Sequence, residues 1–261
     1  MAVARERVMA QRVQIPPAVK PALEAVGRMA ASRGLPAYAV GGCVRDWFLG
    51  SRAPVDLDVA VEGDAIAVAR AAAATLGGRL TIHQQFGTAT LTWEADRGAT
   101  QSEAEDRRLD VATCRTETYA KPAAYPRVTP GTIEEDLFRR DFTINAMAVA
   151  LEPGRLGVLV DPFHGVRDLR NKRLQILHAR SFRDDPSRIL RGIRFRHRFG
   201  LRWEPATKRA LAAAMDAGAL GWLNRGRLEK ELTLMQHEPD PGACFRELAG
   251  WLDQRARWRR R

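Results

Sequence analysis

The chain has 261 residues, with 42 Lys and Arg against 31 Asp and Glu, so its formal net charge is +11. This length suffices for one large domain or two smaller ones. A content of 45% hydrophobic residues excludes wholesale disorder and collagen-like repeats. No apolar run approaches the ~20 residues that span a bilayer, so no membrane partner is expected. Three cysteines without a CxxC pair argue against a disulfide scaffold or a zinc site and favour a cytoplasmic location.

The positive charge is concentrated in the second part of the chain. Residues 1–150 hold 18 basic and 18 acidic side chains, whereas residues 151–261 hold 24 and 13. This asymmetry indicates two regions with different roles, the second of which faces a polyanion such as nucleic acid. A solvated helical surface in an Arg-rich sequence is the alternative interpretation.

Strands and helices alternate in the first part of the chain. We predict a strand at 38–40, the turn Gly41-Gly42, a helix at 44–49, a strand at 55–61, an Ala-rich helix from the N-cap Asp64 to Leu76, and strands at 80–83, 88–93 and 109–114. The polar segment 94–106 and the Pro-rich segment 121–131 are predicted to be flexible connections.

From residue 161 onward the apolar periodicity is helical. Helical segments are predicted near 184–199, 205–217, 226–237 and 241–254, with a strand at 174–177. The predicted fold class is therefore α+β, with a mixed strand-and-helix first region and a mostly helical second region.

The strand 55–61 carries two aspartates in the order Asp56-Leu57-Asp58. Residues two apart on a strand project from the same face, so the two carboxylates lie side by side. Adjacent carboxylates repel unless cations neutralise them, and hard oxygen ligands suit Mg²⁺. The alternative is a strand whose outer face is acidic without binding metal.

A glycine pair lies between the preceding strand and helix. Gly41-Gly42 would let phosphate oxygens approach the backbone N–H groups at the N-terminus of that helix. Arg45 lies one turn into the helix, where it can add a charge-assisted contact to a phosphate. A tight turn with no ligand is the alternative interpretation.

Several segments form an ordered series of motifs across roughly residues 35–235. They are Gly41 to Asp46 with Asp56-Leu57-Asp58, Phe86-Gly87-Thr88-Ala89, Leu109-Asp110-Val111-Ala112-Thr113, Glu134 to Ala148, Asp161-Pro162-Phe163-His164-Gly165, Asp184 to Arg191 and, more weakly, Asn224 to Leu232. The series resembles the class II tRNA nucleotidyltransferase and bacterial poly(A) polymerase family, within the polymerase β nucleotidyltransferase superfamily.

The resemblance implies a polymerase β-like nucleotidyltransferase head followed by an all-α neck. Asp56 and Asp58 would hold two Mg²⁺ ions, which activate the RNA 3′-hydroxyl and neutralise the triphosphate. Asp110 would be a third catalytic carboxylate near these ions; a strand-edge acid without that role is the alternative. Arg140 would contact the incoming nucleotide, and Asp141 is a candidate acceptor for the ribose 2′-hydroxyl, although an Arg–Asp salt bridge is also possible.

The segment around Asp185 resembles the motif that selects the base. On a helix with ~100° per residue, Asp185 lies on one edge with Arg188, Arg191 and Arg194. In the family, the matching Asp and Arg read the base edge of the nucleotide, an arrangement that suits C and A. Arg191 and Arg194 would support the triphosphate or the RNA. A solvated charged face is the alternative.

The resemblance implies an enzyme that adds C and/or A to tRNA 3′ ends from CTP and ATP, with release of pyrophosphate. Poly(A) addition to other RNA, and CC-only or A-only addition, are alternatives with the same motifs. A head–neck module that binds nucleotide or RNA without turnover is a third interpretation.

The predicted domains are an N-terminal extension or helix at 1–34, the nucleotidyltransferase head at 35–160, the helical neck at 161–240 and the start of a body or a truncated basic tail at 241–261. Full enzymes of the family continue into helical body and tail domains. A natural minimal form and a fragment are both compatible with this sequence.

Overall fold

The computed structural model describes residues 11–51, 56–93 and 107–258. The chain divides into two compact units, which we call the sheet unit and the helical unit. Of the described residues, the sheet unit comprises 11–51, 56–93, 107–114, 130–135 and 147–161, and the helical unit comprises 115–129, 136–146 and 162–258. The chain therefore passes between the units several times.

The elements of the first half include, in the predicted order, the strands and helices expected between residues 38 and 114. These elements are α1 (Lys20–Ala31), β1 (Ala37–Val40), α2 (Gly42–Phe48), β2 (Leu57–Val61), α3 (Ala65–Leu76), β3 (Arg79–His83), β4 (Thr88–Trp93), β5 (Arg107–Thr113), β6 (Arg115–Thr118), β7 (Arg127–Pro130) and α4 (Ile133–Phe138). Asp64 caps α3 as predicted, since its Oδ1 accepts a hydrogen bond from Ala67 N at 2.9 Å. The predicted connection at 94–106 lies outside the described residues, as does the start of the predicted strand 55–61.

The second half is mainly helical. Its elements are β8 (Ala148–Ala150), β9 (Leu159–Val160), α5 (Gly165–Arg170), β10 (Arg173–Leu174), α6 (Ser181–Asp184), α7 (Ser187–Arg198), β11 (Arg202–Trp203), α8 (Pro205–Asp216), α9 (Arg225–Gln236) and α10 (Pro241–Trp258). The predicted α+β class, with a mixed sheet and a helical region, is confirmed. None of the helices that the structure describes is long and apolar enough to cross a bilayer.

The described strands of the sheet unit form a seven-stranded sheet in the order β3-β4-β5-β2-β1-β8-β9. β2 and β5 run parallel, whereas β1 runs antiparallel to both β2 and β8. Every residue of β1 is buried, and in β2 only Asp58 is exposed. The small side chains of α3 let α1 pack on it. The backbone of α1 also comes close to Leu151, because a Cβ at Gly27 would lie 2.0 Å from Leu151 O.

The helical unit is built around α7. The fully buried ring of Phe142 lies 6.1–6.4 Å, centroid to centroid, from the rings of Phe182, Phe195 and Trp203. Ile189, Leu190 and Ile193 are also fully buried and form the packing face of this helix.

The prediction of a flexible connection over 121–131 is wrong for its second half. β7 pairs with β6 in a two-stranded sheet, and the hydroxyls of Thr116 and Thr129 lie 2.6 Å apart across it. The segment between the two strands, residues 119–126, is therefore the loop of a hairpin, which we call the hairpin loop.

Candidate functional site

Two carboxylates of the sheet unit lie side by side on neighbouring parallel strands. Asp58 of β2 is the register partner of Asp110 of β5, so both side chains project from the same face. Leu57 and Val59, which flank Asp58, are buried and fix the face to which it belongs. Asp56 precedes β2 and is exposed. The strand geometry thus brings together Asp58 and Asp110, and the third predicted catalytic residue, Asp56, lies two positions before Asp58 in the chain.

Asp110 is held by two neighbours that the sequence did not indicate. Its Oδ1 accepts a hydrogen bond of 2.5 Å from Thr90 Oγ1, and its Oδ2 lies 2.9 Å from Arg108 Nη2. Hydrogen bonding and charge from Asp110, followed by the charges of Asp56 and Asp58, raise the pKa of Arg108 above its ordinary value. Arg108 therefore lies in the field of all three carboxylates. The sequence contains one signal for this contact, because Arg108 lies two positions before Asp110 on β5 and therefore on the same face of the strand.

The carboxylates fit a hard divalent cation by their chemistry. Asp56 and Asp58 are both exposed and offer only oxygen donors, the ligands that Mg²⁺ takes in proteins. In the parts of the chain that the structure describes, no group of three or more His, Cys, Asp or Glu side chains could hold a metal ion. An ion held by these aspartates would therefore complete its shell with oxygens from water or substrate.

The glycine turn adopts a conformation that requires glycine at its first position. Gly41 has φ 78° and ψ −130° and precedes α2. A Cβ at Gly42 would lie 3.5 Å from Arg45 Nη2, an ordinary contact, so space does not demand glycine there. Arg45 is buried, and its Nη2 lies 2.8 Å from Asp46 Oδ1. The guanidinium is thus anchored beside the turn by its neighbour.

Arg140 belongs to the helical unit and is bound to a buried carboxylate. Asp136 accepts from Arg140 Nη2 at 3.0 Å and from Arg139 Nη2 at 2.8 Å. Burial favours the neutral form of Asp136, but the charges of Arg140 and Arg139 outweigh it, so that its pKa lies below the ordinary value. Arg140 Nε is buried without a hydrogen-bond partner among the described atoms. The Nε–H group at the edge of this guanidinium is therefore a donor that no described protein atom uses.

Asp141 uses both carboxylate oxygens inside the protein. Its Oδ1 accepts from Phe142 N at 2.8 Å and Asn145 Nδ2 at 3.0 Å. Its Oδ2 accepts from Arg191 Nε at 2.8 Å, with Arg191 Nη2 at 2.7 Å. Burial acts to raise the pKa of Asp141, but the Arg191 charge and these hydrogen bonds lower it to about 2. The arrangement makes Asp141 an anchor for Arg191.

Asp185 lies in a break between two helices. The prediction that it shares a helix with Arg188, Arg191 and Arg194 is wrong, because Asp185 has φ −134° and ψ 96° and ends α6. Its Oδ1 accepts from Ser187 N at 2.9 Å, from Ser187 Oγ at 2.5 Å and from Arg227 Nη2. Arg227, which lies in the weakest of the motif segments, was not among the predicted site residues.

Arg188 and Arg194 are both buried, but they meet different partners. Arg188 donates from Nη1 to Ser181 Oγ at 2.7 Å and from Nη2 to Arg139 O at 2.6 Å. Arg194 donates at 2.8 Å to Glu231 Oε2 and, again at 2.8 Å, to Glu238 Oε1. Arg194 is 5% exposed, and both glutamates are as deeply buried. Its ion pairs therefore tie α7 to α9 and to the turn that follows it.

A comparison of the sequence with models of known families gives one match over this region. Residues 37–175 match the model described as the poly A polymerase head domain. The chain belongs to the poly A polymerase head domain family. This confirms the family indicated by the ordered motifs.

Similar proteins in this family are named as tRNA-processing enzymes. An A-adding tRNA nucleotidyltransferase of Halalkalibacterium halodurans is 44% identical over 87% of this chain and 51% of its own length. A CC-adding tRNA nucleotidyltransferase of Deinococcus radiodurans is 39% identical over 81% of this chain and 53% of its own length. A solved structure of a CCA-adding enzyme in its apo form II aligns with a TM-score of 0.82 at 39% identity, over 91% of this chain and 53% of that one.

The chain spans about half the length of these relatives. Nucleotidyltransferases of the poly A polymerase head family generally use divalent metals, in keeping with the oxygen donors of Asp56 and Asp58. The site residues divide between the two units. The sheet unit carries Gly41, Gly42, Arg45, Asp56, Asp58 and Asp110, and the helical unit carries Arg140, Asp141, Asp185, Arg188, Arg191 and Arg194.

Proposed function

We propose that this chain is a template-independent RNA nucleotidyltransferase that adds C and/or A to tRNA 3′ ends from CTP and ATP and releases pyrophosphate. One observation carries the proposal most directly: Asp58 and Asp110 are register partners on parallel strands of a poly A polymerase head. The names of the relatives supply the substrate class, which is tRNA. The three cysteines are buried and form no disulfide among the described residues, in keeping with the cytoplasm as the proposed location.

In this proposal Asp56 and Asp58 hold Mg²⁺, with Asp110 beside them. The metal supplies a lowered pKa for the attacking RNA 3′-hydroxyl and charge neutralisation for the triphosphate. Thr90 keeps Asp110 in place through its hydrogen bond of 2.5 Å. Arg108 offsets part of the negative charge of the three aspartates when the site is empty of substrate. Gly41, Gly42 and Arg45 are proposed to lie along the phosphates.

Base selection is proposed for Asp185 and Arg188. Among the described residues, every hydrogen bond to the Asp185 carboxylate ends on Oδ1, so Oδ2 can accept a hydrogen bond from the exocyclic amine of C or A. Arg188 uses two of the five N–H donors of its guanidinium, which leaves donors for a ring nitrogen or carbonyl. U and G carry a carbonyl oxygen where C and A carry the amine, so the carboxylate disfavours them.

The other predicted nucleotide contacts differ in how available their side chains are. Arg140 keeps a buried donor without a described partner, which supports a contact with the incoming nucleotide. Asp141 and Arg194 are buried in ion pairs, so a direct contact of either one with nucleotide or RNA would require those pairs to open. Arg191 is 38% exposed and can reach a ligand while its pair with Asp141 stays closed. We therefore propose that Asp141 acts on the nucleotide through Arg191, and that Arg194 supports α7.

The test is incorporation of one labelled nucleotide at a time into tRNA that ends before C, after CC or after CCA. Addition of C and then A supports the full activity. Addition of A only to tRNA ending in CC would narrow the proposal to the A-adding activity that the 44% identical relative is named for. Repeated addition of A to other RNA would replace it with poly(A) synthesis. RNA binding by mobility shift without any incorporation would contradict the enzymatic proposal.

A further inference from the structure

The hairpin loop presents one large aromatic side chain to solvent. Tyr125 is 78% exposed, the most of any large hydrophobic side chain among the described residues. Its hydroxyl accepts a hydrogen bond from Asn224 Nδ2 at 3.4 Å. The rim of the ring is thereby attached to the N-cap of α9, while most of the ring surface stays accessible.

The backbone of the hairpin loop is tied to the base-selecting segment. Ala123 N donates to Asp184 O at 3.2 Å, and Ala123 O accepts from Arg227 Nη1 at 3.2 Å. Arg227 uses its other terminal nitrogen on Asp185. Ala123 holds a left-handed conformation, with φ 59°, which these two bonds fix. Tyr125 therefore lies two residues from Ala123, whose backbone is held next to Asp185 by these hydrogen bonds.

The hairpin loop and the first residue of β7 carry positive charge, and no acidic residue lies between positions 118 and 133. Lys121 and Arg127 flank Tyr125, are both exposed and form no side-chain ion pair with any residue that the structure describes. The nearby acidic residues form ion pairs with other cations, since Asp184 pairs with Arg180 and Asp185 pairs with Arg227. Two exposed cations that flank an accessible ring in sequence suit a nucleic acid strand, in which each base lies between two phosphates.

We propose that Tyr125 is a stacking platform for an unpaired base of the RNA substrate, with Lys121 and Arg127 facing the adjacent phosphates. The proposal rests on the proposed function, because it takes RNA as the partner. A strand is favoured over a single mononucleotide because the two cations lie on both sides of the ring in sequence. A tyrosine ring stacks on any base, so the platform adds affinity without choosing sequence.

The test is equilibrium binding of a fluorescently labelled tRNA acceptor minihelix with a single-stranded CC end, measured by anisotropy. Tyr125→Ala should weaken binding roughly fivefold or more, since loss of one base–aromatic stack costs about 1–3 kcal/mol and 1.4 kcal/mol is tenfold. Tyr125→Phe keeps the ring and loses only the hydroxyl, so it should bind within about twofold of the wild type. Leu252→Ala removes an exposed apolar side chain outside the motif segments and should leave binding unchanged.

Several results would overturn the platform. Wild-type affinity in Tyr125→Ala, with its thermal unfolding unchanged, would show that the ring makes no contact with RNA. A Tyr125→Phe variant as weak as Tyr125→Ala would show that the bond to Asn224 matters instead of stacking. Binding of ATP and CTP alone should be equal in all variants, and weakened nucleotide binding with intact RNA binding would assign the ring to the mononucleotide.

The failure of the platform and the failure of the proposed function are distinguishable. The binding assay requires no turnover, so a wild-type chain that binds the minihelix through Tyr125 but incorporates nothing would overturn only the function. A wild-type chain that incorporates nucleotide, with a Tyr125→Ala variant that binds the minihelix equally well, would overturn only the platform. A wild-type chain without measurable binding of the minihelix would overturn the platform as well.

Discussion

Arg191 places two nitrogens on the same oxygen of Asp141, with Nε at 2.8 Å and Nη2 at 2.7 Å from Oδ2. The carboxylate is buried, whereas the Arg191 side chain is 38% exposed. The buried negative charge of Asp141 is thus paired with the positive charge of Arg191, which reaches the surface. This geometry orients the guanidinium of Arg191 without consuming its Nη1, which lies 3.9 Å from Glu231.

The Asp141–Arg191 pair predicts a stability loss at acid pH. The pKa of Asp141 is lowered to about 2, so the stability that it contributes is present above the unfolded-state pKa and is lost as pH falls. We expect about 2 kcal/mol to disappear between roughly pH 5 and pH 2. Urea unfolding of the wild type and of Asp141→Asn should differ most near pH 7 and converge toward pH 2. A difference that is independent of pH would contradict the assignment.

The paired aspartates predict loss of activity without loss of fold. Asp58→Asn should reduce nucleotide incorporation by at least about 100-fold and weaken binding of divalent cations, because an amide is a poorer ligand for Mg²⁺ than a carboxylate. Asp253→Asn changes an exposed carboxylate of α10 and serves as the matched control. Thermal unfolding should be nearly unchanged in both variants. Full incorporation by the double variant Asp56→Ala with Asp58→Ala would show that the metal assignment is wrong.

Asp185 predicts a change of base preference. Asp185→Asn replaces one accepting oxygen with a donating amide, which can bind the carbonyl of U. The ratio of kcat/KM for CTP and ATP over UTP and GTP should fall by about tenfold, the effect of roughly one hydrogen bond to a charged group. Measurement with each of the four nucleotides gives this ratio, and Arg225→Ala, on an exposed side chain of α9, is the control. An unchanged ratio would remove Asp185 from base selection.

Local patterns were sufficient to predict most of the sheet unit. Period-2 alternation marked the strands, and Asp64 and Gly77 marked the ends of α3, because capping and left-handed turns depend on residues only a few positions apart. Predicting the register of Asp58 with Asp110 requires knowing that β2 and β5 are neighbours in the sheet. That pairing joins residues 52 positions apart, which no local pattern encodes.

The incorrect predictions for the helical unit have identifiable physical causes. Pro186 disfavours helical backbone at the residue before it, so the sequence itself contains the signal for a break between helices at Asp185. The strand β7 was missed because its partner β6 lies across a Pro-rich loop. The burial of Arg194 could not be read from a helical wheel, since Glu231 and Glu238 reach it from 37 and 44 residues away.

Gly192 predicts a specific packing constraint on α7. A Cβ at this position would lie 2.4 Å from Trp203 Cη2 and 2.8 Å from Phe142 Cζ, closer than carbon atoms can approach. Because Phe142 is fully buried, the rings can yield only by shifting the core, and Gly192→Ala should cost about 1–3 kcal/mol. Gly250→Ala is the matched control, since nothing lies within 4 Å of a Cβ there and alanine is the better helix former by roughly 0.5–1 kcal/mol. Urea unfolding should therefore give opposite signs for the two substitutions. A stabilising Gly192→Ala would mean that Trp203 does not pack against α7 in solution.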